Sequence, residues 1–394
     1  MSLSNFASAI NSDRGFLPLQ DPLIRLSRSF DCWEDVALQL PKLFASDQLR
    51  RILVDLPPFP LEELGNLRET ERAMVLLSYL GHAYVWGGPR PATVLPARIA
   101  VPWHRVAESL GRPPVLSYSS YALHNFFRFD PFREIECGNI GLVQNFLGGL
   151  DEEWFILIHV DIEQKAAPAL ALLHRCLDAA EGGQAELLET LLAGVESSLH
   201  SMRTTMQRMP EHCDPYIYYH RVRPYIHGWK NHPELPEGLV YEGVEAYGEK
   251  PQQFRGETGA QSSIVPAFDA MLGVTHQKDV LSLYLQEMRT YMPPEHRGFI
   301  ASLEARTPVR SFVERSGRSS LTAAYNACAE GVERFRSLHL EYAAKYIFHQ
   351  AQTDSKNPHA VGTGGTPFMQ YLKKHRDETG QSRLEQPHSV ESRG

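Results

Sequence analysis

Of the side chains able to carry chemistry, His339 stands in the least ordinary place. The segment from Ser319 to Ile347 reads as one long helix, and its apolar face runs Leu321, Tyr325, Cys328, Val332, Phe335, His339, Tyr342 and Tyr346. Steps of four and three keep these residues on one inward stripe. A neutral imidazole on that stripe needs a partner for its ring nitrogens. A backbone carbonyl is the plainer partner; an iron ion is the one an oxygen-handling protein would supply. Arg336 lies three residues earlier. If His339 held a haem iron, its guanidinium would reach a propionate from the same helix; otherwise it is a surface charge or half of an ion pair.

A second group of residues is Tyr216-Ile-Tyr218-Tyr219-His-Arg221-Val-Arg223-Pro224-Tyr225-Ile226-His-Gly-Trp229. Arginine among so many rings either lies along their faces at the surface or grips a carboxylate while the rings stack on a flat substrate. Tyr219 and Arg223 are four apart and share a face if the segment is helical. The histidines His212, His220, His227 and His232 lack HExxH and the three- or four-residue helical spacing of paired ligands, so they read as hydrogen-bonded or surface residues. The run Gly362-Thr363-Gly364-Gly365-Thr366 is followed by Pro367 rather than by lysine and a hydroxyl, and no strand precedes it. It reads as a loop with small hydroxyl residues, not as a phosphate cradle.

The elements that must position these groups are helical. Asp31 caps a helix carrying Trp33, Val36, Leu38, Leu40 and Phe44, kinked or divided at Pro41. Residues 69–86 are helical and mostly buried, and residues 97–111 form a further helix. A long amphipathic helix spans roughly 154–180, breaks at Gly182-Gly183, and is followed by another reaching Met209. Asp214-Pro215 is a cap with proline at the first helical position. Helices over 280–291 and 295–303 flank Pro293-Pro294. Strand patterning is scarce, with 238–244 the one candidate. The predicted class is all-α. Two long loops, 243–263 and 350–367, have the length of lids or linkers. No internal repeat is present.

At 394 residues the chain suits two packed domains: a small N-terminal α domain over 1–145 and a larger helical domain over 146–375. The tail over 376–394 is polar and expected to be disordered. A net charge of −8 argues against non-specific nucleic-acid binding. Five scattered cysteines without a CxxC pair suit reduced thiols in the cytoplasm. The N-terminus lacks a basic start followed by an apolar run, and no stretch approaches the roughly 20 apolar residues that a bilayer requires. A cytoplasmic protein, independent of membrane and nucleic acid, is the expectation.

Taken together the residues resemble the indoleamine 2,3-dioxygenase family over most of the chain, from Arg14-Gly-Phe-Leu-Pro to Lys374. The resemblance rests on Ile99-Ala-Val-Pro, Pro113-Pro-Val-Leu-Ser-Tyr118, Gly228-Trp229, Gly238-Leu-Val-Tyr-Glu-Gly243, Gly259-Ala-Gln-Ser-Ser263, Met288-Arg-Thr-Tyr-Met-Pro-Pro294, Arg336-Ser-Leu-His339 and Gly362-Thr-Gly-Gly-Thr366, met in order. It implies a helical haem protein whose small N-terminal domain caps a large catalytic one. The implied reaction inserts both atoms of O2 across the indole C2–C3 bond of L-tryptophan or a related indoleamine, giving N-formylkynurenine. It further implies haem b as cofactor, an external electron donor for ferric haem, and a monomer. In this resemblance His339 matches the proximal iron ligand, and Asp269 and Arg336 match a pair on the propionate side. Arg223 matches the residue that binds the substrate carboxylate. Tyr118, Tyr218 and Tyr219 fall at aromatic pocket positions, Leu157 at a distal-pocket position, and Thr258, Gly259 and Thr363 at loop positions around the substrate's charged ends.

The chain also departs from the family. Tyr218 and Tyr219 replace frequent phenylalanines, Leu157 and Thr258 replace frequent serines, and Pro224 restricts the backbone of Arg223. The added phenols need hydrogen-bond partners, which points to a substituted indole or to slow work on tryptophan. On a different helix register His159 reaches the distal side instead of Leu157. A haem monooxygenase acting on a modified indole, and a haem-binding sensor without turnover, are the competing readings of the same residues.

Overall fold

The computed structural model describes residues 10–275, 280–353, 363 and 368–386. It is 63% helical with only small sheets, as the all-α reading requires. The helices of eight or more residues are α1 (Asp31–Leu38), α2 (Leu67–Trp86), α3 (Ala97–Ser109), α4 (Leu150–Glu181), α5 (Ala185–Gln207), α6 (Ile264–Leu272), α7 (Val280–Arg289), α8 (Pro294–Glu304), α9 (Pro308–Ser316), α10 (Ser319–Ala343) and α11 (Phe368–Gln381).

Local chemistry accounts for the ends of these helices. The Asn66 side chain accepts the Glu69 N–H at the start of α2, while the Glu69 carboxylate accepts from Gly65, a reciprocal cap. Glu152, in the first turn of α4, accepts the N–H groups of Phe146, Leu147 and Gly148 at 2.6, 2.8 and 3.2 Å. At Gly182-Gly183 the chain turns, Gly183 in the left-handed region at φ 68°, and α5 returns along α4. Gly331 lets α10 pack close to α5: a Cβ there would meet Leu199 at 3.0 Å.

Two hydrophobic clusters organise the molecule. One gathers side chains from α1, α2 and α3 with Ile156, Leu157 and Val160 of α4, and also takes in Ile226, Trp229, Leu239, Tyr241, Met288 and Tyr291. The other packs α4, α5, α6, α8, α9 and α10 together. The α4 helix therefore contributes to both.

Strands are few. β1 (Val94–Leu95) runs parallel to β4 (Val240–Tyr241), and β2 (Phe126–Arg128) pairs antiparallel with β3 (Ile140–Leu142). The expected strand over 238–244 is thus a short one, and the other three were not anticipated. At two or three residues they are too short for an alternating pattern to show.

Two differences concern the C-terminal part. The helix expected through Ile347 stays α-helical to Ala343, then continues as a wider π-helical turn over Ala344–Phe348 and a short helix His349–Thr353. The tail expected to be disordered from 376 is ordered as far as 386. There α11 lies against α10, Thr379 is fully buried, and Leu384 exchanges two 2.8 Å hydrogen bonds with Asn326. Polar residues misled the reading because they bind polar partners on α10 rather than water. Of the loop over 350–367, Thr363 and the helical residues 350–353 are described; the rest, with most of the glycine-rich run, lies outside the described residues.

Candidate haem and substrate site

Between α4, α6, α10 and the loop 257–262 lies a cavity of about 650 Å³. That falls within the roughly 300–1,000 Å³ of cofactor and ligand clefts. Its walls carry His339, Arg336, Asp269, Tyr218, Thr258, Gly259 and Thr363 from the expected set, together with Phe155, His159, Glu257 and Tyr346.

The inward stripe of α10 is present as read: Leu321, Tyr325, Cys328, Val332 and Phe335 are buried. At His339 the stripe meets the cavity, and the ring is exposed to it. Among the described residues, no hydrogen bond reaches either of its nitrogens. The protein around the cavity, then His159 and Arg336, lower its pKa to about 4. The ring is therefore neutral at physiological pH and offers a lone pair to the cavity, as a metal ligand must.

Arg336 is forked onto Asp269, with Nη1–Oδ1 3.0 Å and Nη2–Oδ2 2.6 Å, and also donates to Thr379 Oγ1. One guanidinium thus ties α10 to α6 and α11 beside the cavity. Gly259 approaches the other side of His339, where a Cβ would stand 3.9 Å from its Nε2.

The wall formed by α4 is where the sequence reading needs correction. Phe155, His159 and Ile162 recur at steps of four and three and face the cavity. Leu157 stands two positions before His159, about 200° around the helix, and is buried in the first cluster. Leu157 does not line the cavity; His159 does. Its Nδ1 is 2.7 Å from the Phe155 carbonyl, which can only accept, so Nδ1 carries the proton and Nε2 keeps its lone pair. Burial lowers the pKa of His159 as well.

The aromatic segment is organised by Asp214, whose side chain accepts from the N–H groups of Tyr216 and Ile217. A π-helical turn follows over Tyr218–Val222, then a 3-10 turn over Arg223–Ile226. Arg223 adopts helical angles, φ −56° and ψ −36°, although a proline follows it. Its guanidinium lies 5.2 Å from the Tyr219 ring centroid, as the four-residue spacing suggested. Tyr218 stacks on Phe155 at 4.4 Å on the cavity wall, and burial raises its pKa. Arg223 and Tyr219 are buried behind that wall and do not form part of it. Tyr118 also stands behind it, its ring 6.0 Å from His159 and its hydroxyl donating to Glu163 at 2.9 Å.

The loop 256–262 is fixed from several sides. Gly228 and Gly256 cross so closely that a Cβ on either would stand 2.1–2.2 Å from the other's nitrogen. The Glu257 N–H donates to Ile226 O at 3.2 Å, and Gln261 Oε1 accepts the Tyr118 N–H at 2.9 Å. Ser262 Oγ donates to Glu163, whose other oxygen has no partner among the described residues and whose pKa burial raises to about 7. Thr363 joins this loop by donating to the Glu257 carbonyl.

The histidines between 212 and 232 lie apart: His212 against Trp154, His220 between Tyr216 and Tyr219, and His227 beside His232 near Trp86. Among the described residues no three histidine, cysteine or carboxylate groups come together as a metal cage. His339 alone, facing a wide cavity with an arginine beside it, suits the axial ligand of a flat metal macrocycle.

A family model described as indoleamine 2,3-dioxygenase matches residues 3–382. The chain belongs to the indoleamine 2,3-dioxygenase family. It is 36% identical to rat indoleamine 2,3-dioxygenase 1 over 96% of this chain and 95% of that protein. It is 34% identical to human indoleamine 2,3-dioxygenase 2, over 95% and 94% respectively. With the indoleamine 2,3-dioxygenase of Saccharomyces cerevisiae it shares 33% identity, over 94% and 91%. Members of the family are haem-dependent oxidoreductases that use O2, and this chain is an enzyme of that class. Among the described residues no helix is long and apolar enough to cross a membrane.

His159 and Glu257 were the residues that sequence reasoning undervalued. The 155–159–162 spacing was available as a signal for the first. Nothing in the sequence marked Glu257, which lines the cavity and has no side-chain hydrogen bond among the described residues.

Proposed function

We propose that this chain opens the indole C2–C3 bond of L-tryptophan or a related indoleamine with O2, giving the N-formyl ring-opened product, with haem b held by His339. The observation that carries this reading is the neutral His339 ring, without a hydrogen-bond partner among the described residues, opening into a cavity large enough for a cofactor and its substrate. Bound there, haem supplies the iron at which O2 is activated.

The residues then have distinct duties. His339 would hold the haem iron through its unprotonated ring nitrogen. Arg336, held in place by Asp269, presents positive charge to the propionates. Phe155 and Tyr218 give the indole a stacked wall. His159 Nε2, unprotonated because Nδ1 is committed to Phe155, accepts the indole N–H and fixes the orientation of the ring in the cavity. Thr258, Gly259 and Thr363 border the side chain of the substrate. Arg223 serves the substrate carboxylate from behind Tyr218, which requires a shift of that segment on binding. Tyr118 and Tyr219 support this wall rather than touch the substrate. No side chain is required as a general acid or base.

The test is turnover of L-tryptophan by haem-loaded protein with ascorbate, a mediator dye and labelled O2. Formylated product carrying both labelled oxygen atoms is expected. A product with one labelled atom, or haem-bound protein that leaves a panel of indoles unchanged, would refute the proposal.

A further inference from the structure

Glu257 is a buried carboxyl group on the cavity wall for which the reaction scheme gives no use. It is 4% exposed. Its backbone is clamped at the Gly228–Gly256 crossing, and its carbonyl accepts from Thr363, so the side chain is carried by a rigid piece of chain. Among the described residues its carboxyl group has neither a hydrogen bond nor an ion pair. It lines the cavity together with Phe155, His159 and Tyr218. Other buried carboxylates here have at least one donor: Glu34 from Arg72, Glu71 from Arg112, Glu152 from three N–H groups and Glu163 from Tyr118 and Ser262.

A buried acid without a donor is costly unless something else brings one. Burial alone raises its pKa to about 8, so a cation arriving nearby would draw the group into its charged form. The other acidic side chains on the cavity wall, Asp269, Glu304 and Glu314, are already paired with Arg336, Arg289 and Arg310.

We propose that Glu257 is the subsite for a protonated amine on the substrate, selecting indoles that carry an ammonium group over those that do not. The inference rests on the reading of this cavity as an indole site. It makes Glu257 a specificity-determining residue, paired with the amine while His159 receives the ring N–H.

The experiment is calorimetric titration of haem-loaded protein with L-tryptophan, tryptamine and indole-3-propionate, repeated on Glu257→Gln, alongside steady-state kinetics on L-tryptophan. The wild type should bind the two amines at least tenfold more tightly than the propionate. In E257Q that preference should vanish, with KM for L-tryptophan raised about tenfold or more and kcat changed far less. Equal weakening of all three ligands, or an unchanged amine preference, would overturn the assignment. Binding is scored without turnover. A protein that binds amines through Glu257 yet forms no formylated product would sink the proposed reaction and leave this subsite standing.

Discussion

At the scale of single residues, two histidines divide the labour. Among the described residues His339 has no hydrogen-bond partner, so its removal should cost little fold stability but should release the cofactor. In His339→Ala, the Soret absorbance retained after gel filtration should fall by about an order of magnitude or more. Full retention and activity in that variant would remove the proposed role. His159 is held through Nδ1 and offers Nε2, so His159→Phe would leave a buried indole N–H without an acceptor. That loss is worth about 1–3 kcal/mol, or a roughly five- to 150-fold fall in kcat/KM for L-tryptophan. An N1-methylated tryptophan has no N–H to lose and should respond much less to the same substitution. Equal sensitivity of the two substrates would count against hydrogen bonding by His159. The sequence identified His339 from its stripe. It left Leu157 and His159 in competition, because a helix shows which residues share a face but not which face meets a cavity.

At the scale of elements, the site is assembled by contacts between segments far apart in sequence. The Asp269–Arg336 fork joins α6 to α10, and Thr379 adds α11. Asp269→Ala would leave a mostly buried guanidinium without its counter-charge, a loss of about 3–5 kcal/mol. The urea midpoint of the haem-free protein should fall accordingly, and a midpoint within error of wild type would show the pair to be dispensable. The crossing of Gly228 and Gly256 sets the position of Glu257, Thr258 and Gly259. Gly256→Ala must force those backbones apart, at a cost of about 1–3 kcal/mol. The same change should raise KM for L-tryptophan more than it lowers haem content; loss of haem with unchanged KM would contradict this. Glycine at these positions was visible in the sequence, but the neighbour that requires it was not.

At the scale of the whole molecule, buried ionisable groups bound the pH range of stability from both sides. His82 is fully buried, with Nδ1 donating to Tyr225 O and Nε2 accepting from Leu116, and its pKa is lowered to about 4. The unfolded chain takes up that proton below about pH 6.5 while the folded protein resists it until about pH 4. The contribution of His82 is therefore complete above pH 6.5 and is lost as pH falls toward 4, on the order of 3 kcal/mol in full. Glu163 and Glu257 act in the opposite sense. Their folded pKa values of about 7 and 8 favour the fold at low pH, and this contribution is lost as pH rises through those values. The pKa values of His124, His227, His232 and His296 are lowered by burial like that of His82. Together these histidines outweigh the acids below pH 6.5, so haem-free protein should be most stable between about pH 6 and 7. Urea midpoints at pH 5, 6.5 and 8.5 should show a fall on each side, and His82→Gln should reduce the acid-side fall. An acid-side fall of the same size in that variant would exclude His82 as a cause.

The all-α class, the long helices, the break at Gly182-Gly183, the cap at Asp214 and the stripe ending at His339 follow from local rules that a sequence states directly: period, capping and turn chemistry. The tail beyond residue 375 shows where such rules stop, since Thr379 and Arg383 are matched by Arg336 and Glu333, and the Leu384 backbone by Asn326, rather than by water. The same holds for the cavity. Which α4 residues face it, that Arg223 and Tyr118 stand behind its wall, and that Glu257 has no partner among the described residues were decided by packing between segments up to a few hundred residues apart. Periodicity records what one element hides from water. What fills or faces the space between elements depends on distances that exist only after the chain has closed around it.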